Sequence, residues 1–137
     1  MKNETNNKDL IIQLYRAFSK RDHEALDRIC AKDILWTQNP GFPGGAVNIG
    51  VSNIVENVYE ANSSRWKFFS FQRKSISVAT DTVLVEGVYV VQGHDAKERV
   101  SAETAHVFKI KDNKVTSFQQ YTDSKTLWDN HNQNKIS

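Results

Sequence analysis

What this sequence lacks narrows its possible functions first. Its single cysteine, Cys30, cannot form an internal disulfide, and four histidines scattered at positions 23, 94, 106 and 131 share no metal-ligand spacing. No metal or cofactor is therefore expected. No apolar run approaches the roughly 20 residues of a bilayer span. The opening M-K-N-E-T-N-N-K-D is polar and carries acids, so it does not read as a signal peptide. These features together indicate a cytoplasmic protein, in which the N-x-S/T matches at Asn3 and Asn62 carry no meaning. A net charge of +2 is too weak to argue for nucleic acid or an anionic membrane as partner. Proline is scarce as well. Both prolines fall in N-P-G-F-P-G-G, residues 39–45, together with three of the six glycines. That segment cannot continue a strand or a helix, and it marks a loop.

What remains is the composition of one ordinary globular domain, residues 1–137, with 39% hydrophobic and 25% charged residues. After a polar tail, Asn6 or Asn7 can cap a helix beginning near Lys8. Ile11, Leu14, Tyr15 and Phe18 recur along it at helical spacing. Tyr15 lies in that buried stripe, as a core tyrosine whose tip reaches water or as a phenol aimed into a cavity. Asp22 caps a second helix whose apolar face is Ala25, Leu26, Ile29 and Cys30; the thiol has a structural reading there, with no base beside it. Asp33–Gln38 reads as a first strand. Trp36 and Phe42 flank the proline-bearing loop, where they can cover the end of a barrel or form the mouth of a pocket. A third helix follows, capped at Ser52, with Val51, Ile54, Val55, Val58 and Tyr59 on one face and a stop at 62–64.

The rest is β. Residues 65–78 form a long strand-like run in which a bulge near Phe68 and Phe69 would explain a lapse in alternation. Its interleaved basic and aromatic residues could mimic a single-strand nucleic-acid platform. Aromatics facing a core, with lysines at the rim, is the stronger reading. Thr82–Gln92 is the next strand, and Asp112-Asn113 suits a two-residue hairpin turn. Regular pairing outward from Lys111 and Lys114 sets Phe108 opposite Ser117, His106 opposite Gln119, and Thr104 opposite Tyr121. Side chains alternate along a strand, so these six would share one face, apolar at one end and polar at the other, like the lining of a ligand pocket. The order is three helices with one strand among them, then at least four antiparallel strands. It predicts an α+β fold: a curved antiparallel sheet forming a partial barrel, with the three N-terminal helices on its concave side and a cone-shaped cavity between.

Four segments in this order carry a family likeness: Q-L-Y-R-A-F-S-K-R-D, W-T-Q-N-P-G, the helix after I-G-V, and H-V-F-K-I-K-D-N-K-V running into Q-Y-T-D. Over nearly its whole length the chain resembles the nuclear transport factor 2-like superfamily, and within it the SnoaL-like and ketosteroid isomerase-like proteins. The resemblance implies a site. In the isomerases a tyrosine on the first helix and a protonated aspartate on a late strand donate to an enolate oxygen. Tyr15 matches the tyrosine, and His106 falls near the aspartate. The general-base aspartate precedes a proline after the first strand, and Asn39 stands there instead. An amide cannot take a proton from carbon, so the isomerase mechanism is not supported as it stands. SnoaL-like cyclases use a late-strand acid and a histidine, for which Asp123 and His106 are the nearest candidates. Asp123 can instead cap the tail or bind Lys125.

Tyr15, His106 and Asp123 are thus the catalytic candidates, and Trp36, Asn39, Phe42, Gln119 and Tyr121 the ligand-binding ones. Two functions follow. One is a cofactor-independent isomerase, cyclase or dehydratase acting on a small, largely apolar carbonyl or polycyclic compound. The other is a non-catalytic ligand-binding or protein-interaction module of the same fold. The resemblance also implies a homodimer through the open sheet face, with Lys67, Phe69, Val107 and Phe118 compatible with such a surface.

Overall fold

The structure is a computed structural model that describes residues 2–132, with side chains from residue 6 onward. One six-stranded sheet dominates it. The strands are β1 (Cys30–Thr37), β2 (Val47–Ile49), β3 (Phe68–Ala79), β4 (Thr82–Gln92), β5 (Val100–Lys111) and β6 (Lys114–Thr122). They lie in the order β2-β1-β6-β5-β4-β3, and every pairing is antiparallel except β1 with β6. The sheet curves without closing, so one face is concave. Across it lie α1 (Lys2–Lys20) and α2 (His23–Ile29), and a third helical stretch built of α3 (Val51–Ile54), a wide π turn (Val55–Glu60) and α4 (Ala61–Arg65). This is the predicted α+β architecture. A further helix, α5 (Ser124–His131), follows β6.

The concave side holds two apolar clusters. In the larger, Leu10, Ile11, Leu14 and Ala17 of α1 meet Val83, Val85, Phe108, Ile110 and Phe118 of the sheet. Burying such side chains stabilises by roughly 1.5–3 kcal/mol each. In the smaller, Phe42, Trp66, Tyr89, Val91, Ala102 and Leu127 close the far end. The site lies between the two.

Several local expectations change. The expected tail is helical from Lys2, and only Met1 of it lies outside the described residues. Asn7 is not a cap: its buried amide donates to the Thr80 carbonyl at 3.1 Å and ties α1 to the β3–β4 turn. Asp22 does cap α2, accepting from the Ala25 amide at 3.1 Å. Cys30 opens β1 rather than ending α2, and burial pushes its thiol up to about 12, with Asp27 adding to the rise. Gly50, at φ 86°, takes the N-cap position expected of Ser52. Strand β2, hidden behind the loop, pairs with β1. The bulge in β3 falls at Lys74, not at Phe68 and Phe69, because the strand itself begins at Phe68. At the C-terminal end, where the sequence offers Trp128 to pack back, Leu127 does so instead and is fully buried, while Trp128 stays half exposed.

The final hairpin carries the change that matters most. Asp112 and Asn113 sit at φ 51° and 63°, as a type I′ turn requires, and Lys111 pairs with Lys114 as expected. Two pairs later the register slips. Ile110 still faces Val115, but Lys109 faces Ser117, leaving Thr116 as an extra residue whose hydroxyl donates to the Lys109 carbonyl at 3.2 Å. One inserted residue turns every later side chain to the opposite face. Phe108 therefore faces Phe118, His106 faces Gln120, and Thr104 faces Thr122. Phe118 is buried on the concave side, and Phe69 packs beside the smaller cluster, so neither belongs to the open face on which they were expected.

Candidate functional site

Between α1, the third helical stretch and the concave sheet lies a cavity of about 840 Å³, in the range of small-molecule sites. Its wall is mostly aromatic: Tyr15 and Phe18 of α1, Trp36 of β1, Phe69 and Phe71 of β3, Phe108 and Phe118 of the final hairpin. Trp36 stacks on Phe118 with centroids 3.8 Å apart, and its indole N–H is buried without a partner among the described residues. The wide turn of the third helix contributes Val58 and Tyr59, and Tyr59 stacks on Phe18 at 5.9 Å.

A chain of hydrogen bonds runs across the sheet and ends on this wall. It starts in the loop after β1, which closes on itself through Phe42 N–H to the Asn39 carbonyl at 2.9 Å and Gln38 N–H to the Ala46 carbonyl at 2.9 Å. Gly45 is needed there, since a Cβ at that position would collide with the Asn39 carbonyl. The loop aims the Asn39 backbone N–H at Gln120 Oε1, 3.1 Å away. A backbone N–H can only donate, so this bond fixes the orientation of the Gln120 amide. Gln120 Nε2 then donates to the Tyr89 hydroxyl oxygen at 2.8 Å. The Tyr89 hydroxyl is buried, and its one possible acceptor among the described residues is His106 Nε2, so it donates there at 2.7 Å. With Nε2 accepting, the neutral ring carries its proton on Nδ1, and Nδ1–H donates to the Tyr15 oxygen at 2.8 Å. The tautomer thus follows from the network. Tyr15's own proton is left with no acceptor among the described residues, on the wall of the cavity.

Burial holds this chain in one protonation state. The imidazole is enclosed by rings, with Phe71 stacked at 4.2 Å and Phe118 edge-on at 4.8 Å. Desolvation lowers its pKa from 6.5 to about 3, so it stays neutral. Burial pushes the Tyr15 phenol well above its ordinary value. Tyr89 adds to that rise, and the Arg73 guanidinium, 5.0 Å from the ring centroid, partly opposes it. Burial also raises Tyr89 strongly, with its bond to Gln120 opposing. Both phenols remain donors at neutral pH.

The sequence candidates scatter relative to this geometry. Tyr15, Trp36 and His106 line the cavity. His106 acts through Tyr15, because both its ring nitrogens are engaged by phenols. Asn39 stands behind the wall; its backbone orients Gln120, and its side chain reaches the Thr122 carbonyl at 3.5 Å. Phe42 packs in the smaller core cluster, covering the end of the barrel and forming no part of the cavity mouth. The register slip carries Gln119 and Tyr121 to the convex side, where Tyr121 is 55% exposed, and Gln120 takes the inward place. Asp123 is also outside: it is exposed and caps α5, accepting from Thr126 N–H at 3.2 Å and the Thr126 hydroxyl at 2.6 Å. Those two bonds hold its carboxyl below the usual range.

Sequence reading missed Gln120, Tyr89 and Arg73. Only the extra residue in the hairpin reveals Gln120. Tyr89 did leave a signal, since it shares parity with Val83, Val85 and Val91 on a strand that pairs with β5, and a buried phenol needs a partner. Among the described residues no three His, Cys, Asp or Glu side chains gather to hold a metal, and no Asp or Glu lies on the cavity wall. The wall can donate to an oxygen and stack on a flat skeleton. It offers no carboxylate to take a proton from carbon.

The sequence profile of the SnoaL-like domain matches residues 11–118. No curated protein matches the chain in sequence. Among solved structures, an NTF2-like protein of Burkholderia thailandensis is 26% identical, with 87% of this chain and 92% of that one aligned at a TM-score of 0.79. TerC, co-crystallised with polyporic acid, is 19% identical over 92% of this chain and 98% of its own, at a TM-score of 0.80. IdmH of Streptomyces antibioticus, a candidate polyketide cyclase, is 15% identical over 88% and 94%, at a TM-score of 0.70. The profile covers most of the chain and the solved structures share its curved sheet, so this protein belongs to the SnoaL-like domain family and has the NTF2-like fold.

Proposed function

We propose that the cavity binds a small, largely apolar carbonyl or polycyclic compound and that Tyr15 polarises one of its oxygens. The observation that carries this reading is the hydrogen-bond chain from Asn39 through Gln120, Tyr89 and His106, which leaves the Tyr15 phenolic proton facing an aromatic-walled hollow. Such a donor, fixed before the ligand arrives, stabilises charge developing on oxygen. The chemistry this supports is cofactor-independent isomerisation, cyclisation or dehydration of a substrate acidic enough to ionise without a carboxylate on the wall. The co-crystallisation of TerC with polyporic acid and the cyclase role suggested for IdmH fit that class of ligand.

A second reading, a carrier that binds without converting, is favoured by one observation: Asn39 stands where the isomerases keep their base, and Asp123 is spent on capping α5. A homodimer through the convex sheet face and a cytoplasmic location belong to the same proposal. No described helix is long and apolar enough to cross a membrane.

The test is thermal-shift screening of aromatic ketones and quinones, followed by affinity measurement on the wild type and Tyr15→Phe. Loss of one charge-stabilising hydrogen bond is worth about 1.5–3 kcal/mol, so Tyr15→Phe is expected to bind or turn over its ligand roughly ten- to a hundredfold less well while folding normally. Unchanged affinity and turnover in that variant would rule out the assigned role.

A further inference from the structure

The chain has 16 acidic residues, yet the cavity wall carries none, while three basic side chains, Arg16, Lys67 and Arg73, border it. None of the three forms an ion pair among the described residues, where the two salt bridges are Lys74–Glu103 and Lys125–Asp129. Arg73 comes from the concave row of β3, just before the bulge at Lys74, and its guanidinium sits over the Tyr15 ring. Arg16 follows Tyr15 on α1, and Lys67 stands just ahead of β3. The charged groups on the wall are therefore all positive, beside uncharged polar ones such as Gln38, Asn62 and Ser70. Arg73 already acts on the donor: its charge is felt by the Tyr15 phenol.

We infer that the ligand of this cavity is a flat organic anion whose charge is spread over the oxygens of a conjugated skeleton, such as an enolate, phenolate or hydroxyquinone, with its charged oxygens on the Arg73 side of Tyr15. This rests on the small-molecule reading above and sharpens it. Charge complementarity selects the anion, because a neutral ligand of the same shape would gain the stacking but not the Coulomb term. The aromatic wall selects the flat skeleton. The inference also accounts for a wall without a base: a ligand that arrives ionised leaves no proton to be taken from carbon, and a neutral imidazole behind Tyr15 is then sufficient.

A matched pair of probes separates the two readings. 2-Hydroxy-1,4-naphthoquinone is ionised at pH 7.5, and its 2-methoxy ether is a neutral analogue of nearly the same shape. Calorimetric titration of wild type, Arg73→Gln and Tyr15→Phe with both probes is the experiment, in low-salt buffer where the Debye length is long. The hydroxy probe is expected to bind at least about tenfold tighter than the ether, equivalent to about 1.4 kcal/mol. Arg73→Gln should bring the two within roughly threefold of each other, mainly by weakening the hydroxy probe. Arg73 is exposed, so this variant keeps the fold. Tyr15→Phe should weaken both probes, since both keep carbonyl oxygens. Equal affinities in the wild type, or a preference untouched by Arg73→Gln, overturn the anion inference and leave the small-molecule reading standing. If neither probe saturates the protein at millimolar concentration, both fall together.

Discussion

His106 shows how burial fixes the protonation state of a side chain. Both of its nitrogens are engaged, and its surroundings keep it neutral far below the ordinary imidazole range. That state has a consequence for stability. The unfolded chain takes up a proton on this ring as pH drops through 6.5, whereas the folded chain declines it until about 3. The contribution is therefore complete above pH 6.5 and is lost progressively between there and pH 3, at a slope approaching about 1.4 kcal/mol per pH unit. Denaturant unfolding of wild type and His106→Gln from pH 7 to pH 4 should show the wild type losing stability more steeply. Parallel curves would mean that the ring titrates normally in the fold.

At the scale of an element, the last hairpin decides which residues see the cavity. Thr116 is one residue inserted between two otherwise regular ladders, and it separates the expected lining from the observed one. Removing it would restore the simple register, turn Gln119 and Tyr121 inward, and expel Gln120 and Phe118 from the buried side. Phe118 alone stacks on Trp36 and packs against Phe108 at 5.2 Å, and losing a buried Phe typically costs about 3–5 kcal/mol. Deletion of Thr116 is expected to yield a protein that unfolds far below the wild type or fails to fold. A deletion variant melting at the wild-type temperature would show that the slip is not what holds the inward row in place.

For the molecule as a whole, the convex face is what the helices leave uncovered. Leu35 at 43%, Val47 and Ile49 at 57% each, and Tyr121 at 55% are exposed there, on adjoining strands β1, β2 and β6. Leu35 pairs directly with Ile49 and Ser117, so the patch is continuous across three strands. An apolar sheet face of this kind is where the proposed homodimer would form. Light scattering on the purified protein should give twice the chain mass, and Leu35→Glu combined with Tyr121→Lys should give a folded monomer. A wild type that stays monomeric at high micromolar concentration would count against the dimer.

How much of this was legible beforehand depends on the range of the interaction concerned. Asp22 capping α2, the span of β4 and the Asp112-Asn113 turn follow from contacts within a few residues, where backbone sterics and side-chain period act alone. The order of helices and strands sufficed for the fold class, because each amphipathic element has few ways to bury its apolar side. Tyr15 could be singled out as a phenol in a buried stripe, and His106 as an imidazole on a strand. The resemblance set the two in one site but did not reveal the direct bond between imidazole and phenol across 91 residues. Gln120 and Tyr89 entered the site only because a bulge reset one register and a neighbouring strand brought its phenol alongside. Asp123 left it because a nearby N-terminal helix turn offered its carboxylate bonds at close range. Local order is written in neighbouring residues. The composition of a cavity depends on which faces meet after the sheet has curved, and only packing among distant segments sets that.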